Sequence, residues 1–201
     1  MTSSFAVTLD PKPYASKPAD SEIGAITNRV KQAGATECDA ATFCEHVRQG
    51  KTWVGGCFEP SPDGWGEFIG QQIFAVDIDN AAALTVNGKA VKGEDGHKVK
   101  RALRPGETGF LDPIDALDRC EELQLAPTCL YFTMRSQYPA WPKFRLVFDM
   151  GEPLDQETAQ AVIESLLLAF PEADKSCRNN NRLFFGSNGT VWETWRCWGD
   201  A

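Results

Sequence analysis

The chain has 201 residues, enough for one ordinary domain or one domain with an N-terminal arm. Its 42% hydrophobic and 24% charged residues describe a globular protein, and no apolar run approaches the roughly 18–20 residues of a membrane span. A formal net charge of −8 argues against a general nucleic-acid coat protein, while leaving room for a local basic surface.

Residues 1–20, rich in Ser, Pro, Ala and Lys, read as a flexible arm with one short strand at 5–9, and residues 21–201 read as a single domain. A helix is expected from Asp20 or Ser21 to about Gly34, with Ile23, Ile26 and Val30 on one face. A second is expected over 39–49, capped by Asp39 and closed by Gly50. The Gly/Pro-rich stretch 55–66 reads as loop or hairpin. The apolar run Ile73-Phe74-Ala75-Val76 then leads a strand into two acids, Asp77 and Asp79.

Residues 81–110 look irregular, with a hairpin-type turn at Asn87-Gly88. Asp112-Pro113 opens a helix continued with helical spacing by Ile114, Leu117, Cys120 and Leu123 or Glu121. Strands are expected at 128–134 and 143–148. Asp155 caps a helix with Ala159, Val162, Ile163, Leu166, Leu167 and Phe170 on its apolar face. Residues 182–185 read as a last short strand closed by Gly186. Trp192, Trp195 and Trp198 recur at every third position, as a packed turn or a partner surface, with core packing the better reading. Helices mixed with short strands predict an α+β (mixed α/β) domain with a mixed sheet.

The seven cysteines are Cys38, Cys44, Cys57, Cys120, Cys129, Cys177 and Cys197. No two form a C-x-x-C pair, and His46 and His97 lack metal-motif spacing, so no zinc ribbon is readable. They read as small core residues in a reducing compartment, and the N-terminus carries no secretory leader pattern, so the reading is cytoplasmic.

Because a strand alternates its side chains, Asp77 and Asp79 point to one face. Two adjacent carboxylates repel each other, and a hard divalent cation relieves that repulsion. Acidic pairs after a strand are also common in loops and caps. Lys143 and Arg145 likewise share a face, either to meet phosphate oxygens or to pair with acids on a solvated surface. The basic run Lys98, Lys100, Arg101 and Arg104 reads as a solvated loop.

Three segments recur in order: residues 68–80 (FIGQQIFAVDIDN), 142–153 (PKFRLVFDMGEP) and 170–186 (FPEADKSCRNNNRLFFG). Together they resemble the primase-polymerase domains of the archaeo-eukaryotic primase superfamily, especially those of phage, prophage and plasmid replication proteins. Residues 50–58, Gly50-Lys51-Thr52-Trp53 followed by Cys57-Phe58, look like the segment ahead of the first motif, and the likeness spans roughly residues 45–190.

The resemblance implies an RNA-recognition-like catalytic sheet with flanking helices. It implies a DNA primase or primase-polymerase: a nucleotidyltransferase acting on nucleoside triphosphates with Mg²⁺ or Mn²⁺, on a single-stranded DNA template. Asp77 and Asp79 match the metal-binding acids of the first motif. Asp174 resembles the third acid and is favoured over Asp149, which also ends an apolar strand. Ser136 aligns with the second-motif serine, but Gln137 or Tyr138 stands where relatives carry a phosphate-contacting histidine, and Arg135 is the conjectured substitute cation. Lys143, Arg145 and Arg182 are the expected nucleotide or phosphate ligands, with a salt bridge to Asp174 the other reading of Arg182.

No Walker motif is present, so the chain reads as a stand-alone primase or the N-terminal part of a longer primase-helicase, with a replicative helicase as partner. The alternative is a catalytically weakened nucleotide- or DNA-binding replication module of the same fold. A nuclease using the same acids ranks last, lacking an evident general base.

Overall fold

The computed structural model describes residues 4–94 and 96–194. In chain order the elements are β1 (Ser4–Leu9), α1 (Asp20–Ala33), β2 (Thr36–Asp39), α2 (Ala40–Arg48), β3 (Trp53–Val54), β4 (Gly56–Phe58), β5 (Phe68–Ile78) and β6 (Ala81–Ala83). They continue with β7 (Thr85–Val86), β8 (Lys89–Ala90), β9 (Lys100–Ala102), α3 (Pro113–Glu122), β10 (Pro127–Thr133), β11 (Phe144–Leu154), α4 (Gln156–Ala169) and β12 (Ser187–Trp192). The protein is a mixed α+β fold around a five-stranded antiparallel sheet, order β12-β10-β11-β5-β4. A smaller sheet, β2-β1-β3, is built by the N-terminal third. No helix of the described residues is long and apolar enough to cross a membrane.

Period-two alternation gives the large sheet two buried faces. On one, Phe74, Val76 and Ile78 of β5 align with Phe144, Leu146 and Phe148 of β11 and with Leu130 and Phe132 of β10. Helices α3 and α4 cover this face through Ala116, Cys120, Ala159, Ile163, Leu166 and Leu167. On the other, Ile73, Val147, Cys129 and Tyr131 pack against Phe5, Val7, Phe43, Cys44, Val47 and Trp53 of the N-terminal third. Only the far end of this second face, beyond Ile73 and Val147 toward Asp77 and Arg145, is left for a cavity.

Helix starts follow their caps. Asp39 accepts from Thr42 N at 2.7 Å, Asp112 from Ile114 N at 2.9 Å, and Asp155 from Thr158 N at 2.8 Å. Each contact stabilises its helix by about 1 kcal/mol.

Several expectations are corrected. The N-terminal stretch is not a loose arm throughout: β1 is the middle strand of the small sheet, with Phe5 and Val7 buried. Of the stretch 81–110, residues 81–102 form a ribbon arm, β6 against β9 and β7 against β8, with the expected turn at Asn87 and Gly88, φ of 50° and 75°. Helix α3 buries Pro113, Ala116 and Cys120, leaving Ile114 and Leu123 exposed, so its core face is rotated from the one expected. Residues 182–185 are no strand. Only Phe184 bridges, to Trp53, and the last strand is β12. Gly186, which follows, packs against the Gly50 backbone: an added Cβ would sit 2.6 Å from Gly50 C. Trp192 packs edge-on to Phe132 at 5.0 Å, as core, while Trp195 and Trp198 lie outside the described residues.

Candidate functional site

At the end of β5 the sheet opens into a polar cavity of about 1030 Å³. Asp77, Asp79, Asp174, Ser136, Lys143, Arg145 and Arg182 all line it. Asp149 does not. It faces Ile73 across the strand pair, four residues or roughly 13 Å along β5 from Asp77, and accepts from Gln72 Nε2 and Gly151 N at 2.8 Å each.

Asp77 and Arg145 are direct cross-strand partners, and Arg145 Nη2 donates to Asp77 Oδ2 at 3.0 Å. Arg145 also donates to Phe185 O at 2.6 Å and to Tyr131 Oη at 3.2 Å, and its guanidinium lies over the Phe184 and Tyr131 rings. Burial opposes the Arg145 charge, but Asp77 and Tyr131 outweigh it and hold its pKa above the ordinary value. Burial pushes the Tyr131 hydroxyl up to about 12, so it remains a neutral donor and acceptor.

One oxygen of this pair is left over. Asp77 Oδ1 is buried without a hydrogen-bond partner among the described residues. A buried carboxylate oxygen with no donor costs free energy unless something cationic meets it. Asp174 stands beside it, its backbone N–H donating to Asp77 O at 2.8 Å, and Asp77, Asp174 and Cys177 can bring one atom each within 4.8 Å of one another. Burial, then Asp77, raises the Cys177 thiol to about 11, so it stays protonated and is a poor ligand for a hard cation. The carboxylates that could meet a divalent cation here are therefore those of Asp77 and Asp174.

Asp79 faces a different arrangement. Lys143 Nζ lies 3.4 Å from Oδ1 and Lys100 Nζ 3.0 Å from Oδ2. Burial raises its pKa, and the two lysines more than offset this, leaving it below the ordinary carboxylate value. Trp141 fixes the loop behind it, donating from Nε1 to Asp79 O at 3.0 Å and carrying Lys143 Nζ 4.2 Å above its ring centroid. Lys143 and Arg145 are thus on one face and paired with acids, as one reading had it, but they are 8% exposed each and not solvated.

Ser136 accepts from Lys143 N through Oγ at 3.0 Å, which ties the turn after β10 to the start of β11. Gln137 pairs through its backbone with Trp141 and also lines the cavity. Arg182 lines the cavity and forms no ion pair with Asp174 among the described residues. Sequence reasoning missed Lys17 and Asp20, at the entry to α1; Lys98 and Lys100, expected in a solvated loop, are indeed exposed but also line the cavity with His97. Arg101 alone of the run's inner members turns away, to Glu107. In all, seven Lys and Arg side chains and four carboxylates surround the cavity, a local excess of positive charge in a chain of net −8. Such a site attracts anions and holds them best with a cation interleaved.

No protein-family model, curated protein or solved structure matches this chain.

Proposed function

We propose that this cavity is the active site of a metal-dependent nucleotidyltransferase, a DNA primase-polymerase domain of a phage, prophage or plasmid replication system. The observation that carries the reading is the buried Asp77 carboxylate, one oxygen of which has no hydrogen-bond partner, grouped with Asp174 and surrounded by a cationic wall. With the ribbon β6–β9 set aside as an insertion, the succession β5-α3-β10-β11-α4-β12 is βαββαβ, the element order expected of an RNA-recognition-like sheet, but β12 pairs with β10 where that sheet would place it beside β5. The six buried free cysteines among the described residues support a reducing, cytoplasmic setting.

Asp77 and Asp174 would hold Mg²⁺ or Mn²⁺, with Asp79 joining once a ligand draws its lysines away. When bound, such an ion neutralises phosphate charge and favours ionisation of an attacking hydroxyl. Lys143 and Arg182 would orient the triphosphate, and Arg145 would hold Asp77 in its rotamer. In the reaction the primer 3′-oxygen bonds to the α-phosphorus, the α–β phosphoanhydride bond breaks, pyrophosphate leaves, and the hydroxyl proton passes to solvent. Ser136 would fix the Lys143 backbone, and Gln137 would donate a neutral hydrogen bond where a histidine would carry charge.

A second reading, a nucleotide- or DNA-binding module of the same fold, is favoured by one observation: Asp77 and Asp79 already have cationic partners within the protein. The deciding experiment is primer synthesis on single-stranded DNA with labelled nucleotides and Mg²⁺ or Mn²⁺, beside Asp77→Ala/Asp79→Ala. Product that vanishes in the double variant supports the enzyme. No product from folded protein with either metal overturns it in favour of the binding module.

A further inference from the structure

The ribbon arm enters and leaves the fold at one residue. Asn80, with φ 45°, donates from Nδ2 to Leu111 O at 2.8 Å and to Pro142 O at 2.9 Å, and its Oδ1 accepts from Leu111 N at 2.8 Å. Leu103 N, just past the arm, donates to Asn80 O at 2.8 Å. Both limbs are therefore clamped one residue beyond Asp79, and β6 and β9 run out from this clamp as a paired stem.

On the returning limb, residues 96–102, the charges are sorted. Positions 98 and 100 share a strand face, and both lysines line the cavity. Arg101 points the opposite way, into a two-pronged pair with Glu107 at 2.8 and 2.9 Å. Lys100 and Lys143 then reach the same carboxylate, Asp79, from opposite walls. Two ammonium groups on one acid leave a surplus positive charge, and a cation taken up by Asp79 would release both lysines toward whatever anion accompanied it.

We infer that the returning limb of the arm is a second wall of the nucleotide site, in which Lys98 and Lys100 hold the distal phosphates of a metal-bound polyphosphate opposite Lys143. This rests on the reading above that the site takes a nucleoside triphosphate with a divalent cation. The ligand class is one with several linked phosphates, because Lys98, Lys100 and Lys143 line one cavity of about 1030 Å³ together with the Asp77 and Asp174 carboxylates, more charged groups than a single phosphate has oxygens to meet. Lys100 exchanges Asp79 for phosphate oxygens, whereas Lys143, on the sheet, stays near the reacting end.

The test is calorimetric binding of inorganic tripolyphosphate and of orthophosphate, each with Mg²⁺, to the full chain. Two charge-matched variants are compared: Lys98→Ala/Lys100→Ala, on the cavity side, and Lys89→Ala/Lys92→Ala, on the same arm but outside the cavity. All four lysines are exposed, so both variants fold, which a thermal melt checks. The expected result is that the inner pair weakens tripolyphosphate binding about tenfold or more, the outer pair less than about twofold, and orthophosphate is little affected. Equal weakening by the two pairs, or no tripolyphosphate binding by the wild type, overturns the inference. Inner-pair-dependent binding without primer synthesis would sustain the arm's role and overturn the polymerase reading; synthesis unchanged in the inner variant would do the reverse.

Discussion

Asp77 on β5 and Arg145 on β11 stand directly opposite each other, joined at 3.0 Å with both side chains only 9% exposed. The pair sits where the apolar second face of the sheet gives way to the cavity, so it closes the core and opens the site at once. Desolvating two charges is costly, and removing one partner alone leaves the other stranded. Arg145→Met is therefore expected to destabilise the protein by about 3–5 kcal/mol, and Asp77→Leu/Arg145→Met to recover most of that loss. Urea titration of the two single variants and the double variant checks this. An Arg145→Met protein as stable as the wild type would mean that water already reaches the pair.

The candidate donors separate by position. Asp174 is grouped with the Asp77 carboxylate, and Asp149 lies at the other end of the strand pair. Mn²⁺ binding, followed by calorimetry, is expected to weaken about tenfold or more in Asp174→Asn and to stay unchanged in Asp149→Asn. The asparagine at 149 keeps an acceptor for Gln72 and Gly151, so the control retains its local structure. Equal loss in both variants would remove Asp174 as a ligand.

The acids and the strand cations were legible in the sequence because they obey local rules. Asp77 and Asp79 end an apolar strand, and Lys143 and Arg145 alternate on another, so period two alone puts each pair on one face. Three helix caps were legible for the same reason: an aspartate precedes the first turn. What was not legible depends on contacts distant in sequence. Nothing near Lys98 or Lys100 says that an exposed ribbon folds back onto Asp79; that follows from the Asn80 clamp to Leu111 and Pro142. Residues 182–185 have a strand's composition, yet only Phe184 forms a bridge, to Trp53, and it is 187–192 that pairs with β10, a partner distant in sequence. The arm read at 1–20 was right about its short strand and silent on the partners, β2 and β3, that bury it.

His46 gives the fold a pH dependence of known sign. Its ring is largely buried on α2, and Nε2 lies 3.0 Å from Thr52 O, where a neutral imidazole donates. Burial pushes its pKa below the usual value, more than the Thr52 contact raises it. In the unfolded chain it titrates near 6.5. The unfolded state thus takes up the proton first, so stability is fully present above about pH 6.5 and falls as pH drops from there through the lower folded pKa. Urea midpoints between about pH 7.5 and about pH 5.5 are expected to fall in the wild type and to flatten in His46→Gln, which keeps a donor for Thr52. The same slope in both proteins would place the effect on other groups.

Gly186 couples the cavity wall to the fold. A Cβ there would lie 2.6 Å from Gly50 C and 2.7 Å from Lys51 O, backbone atoms that cannot swing aside. The residue before it, Phe185, lends its carbonyl to Arg145 at 2.6 Å, so a displaced chain at 186 loosens the guanidinium that pairs with Asp77. Gly186→Ala is expected to cost about 1–3 kcal/mol and to weaken Mn²⁺ binding as well, since both depend on that carbonyl. Gly64→Ala, where an added Cβ meets nothing within 4 Å, is the control and should change neither. Stability and Mn²⁺ affinity measured on the same samples decide the point: a destabilised Gly186→Ala with wild-type Mn²⁺ affinity would uncouple the Phe185 carbonyl from the acid pair.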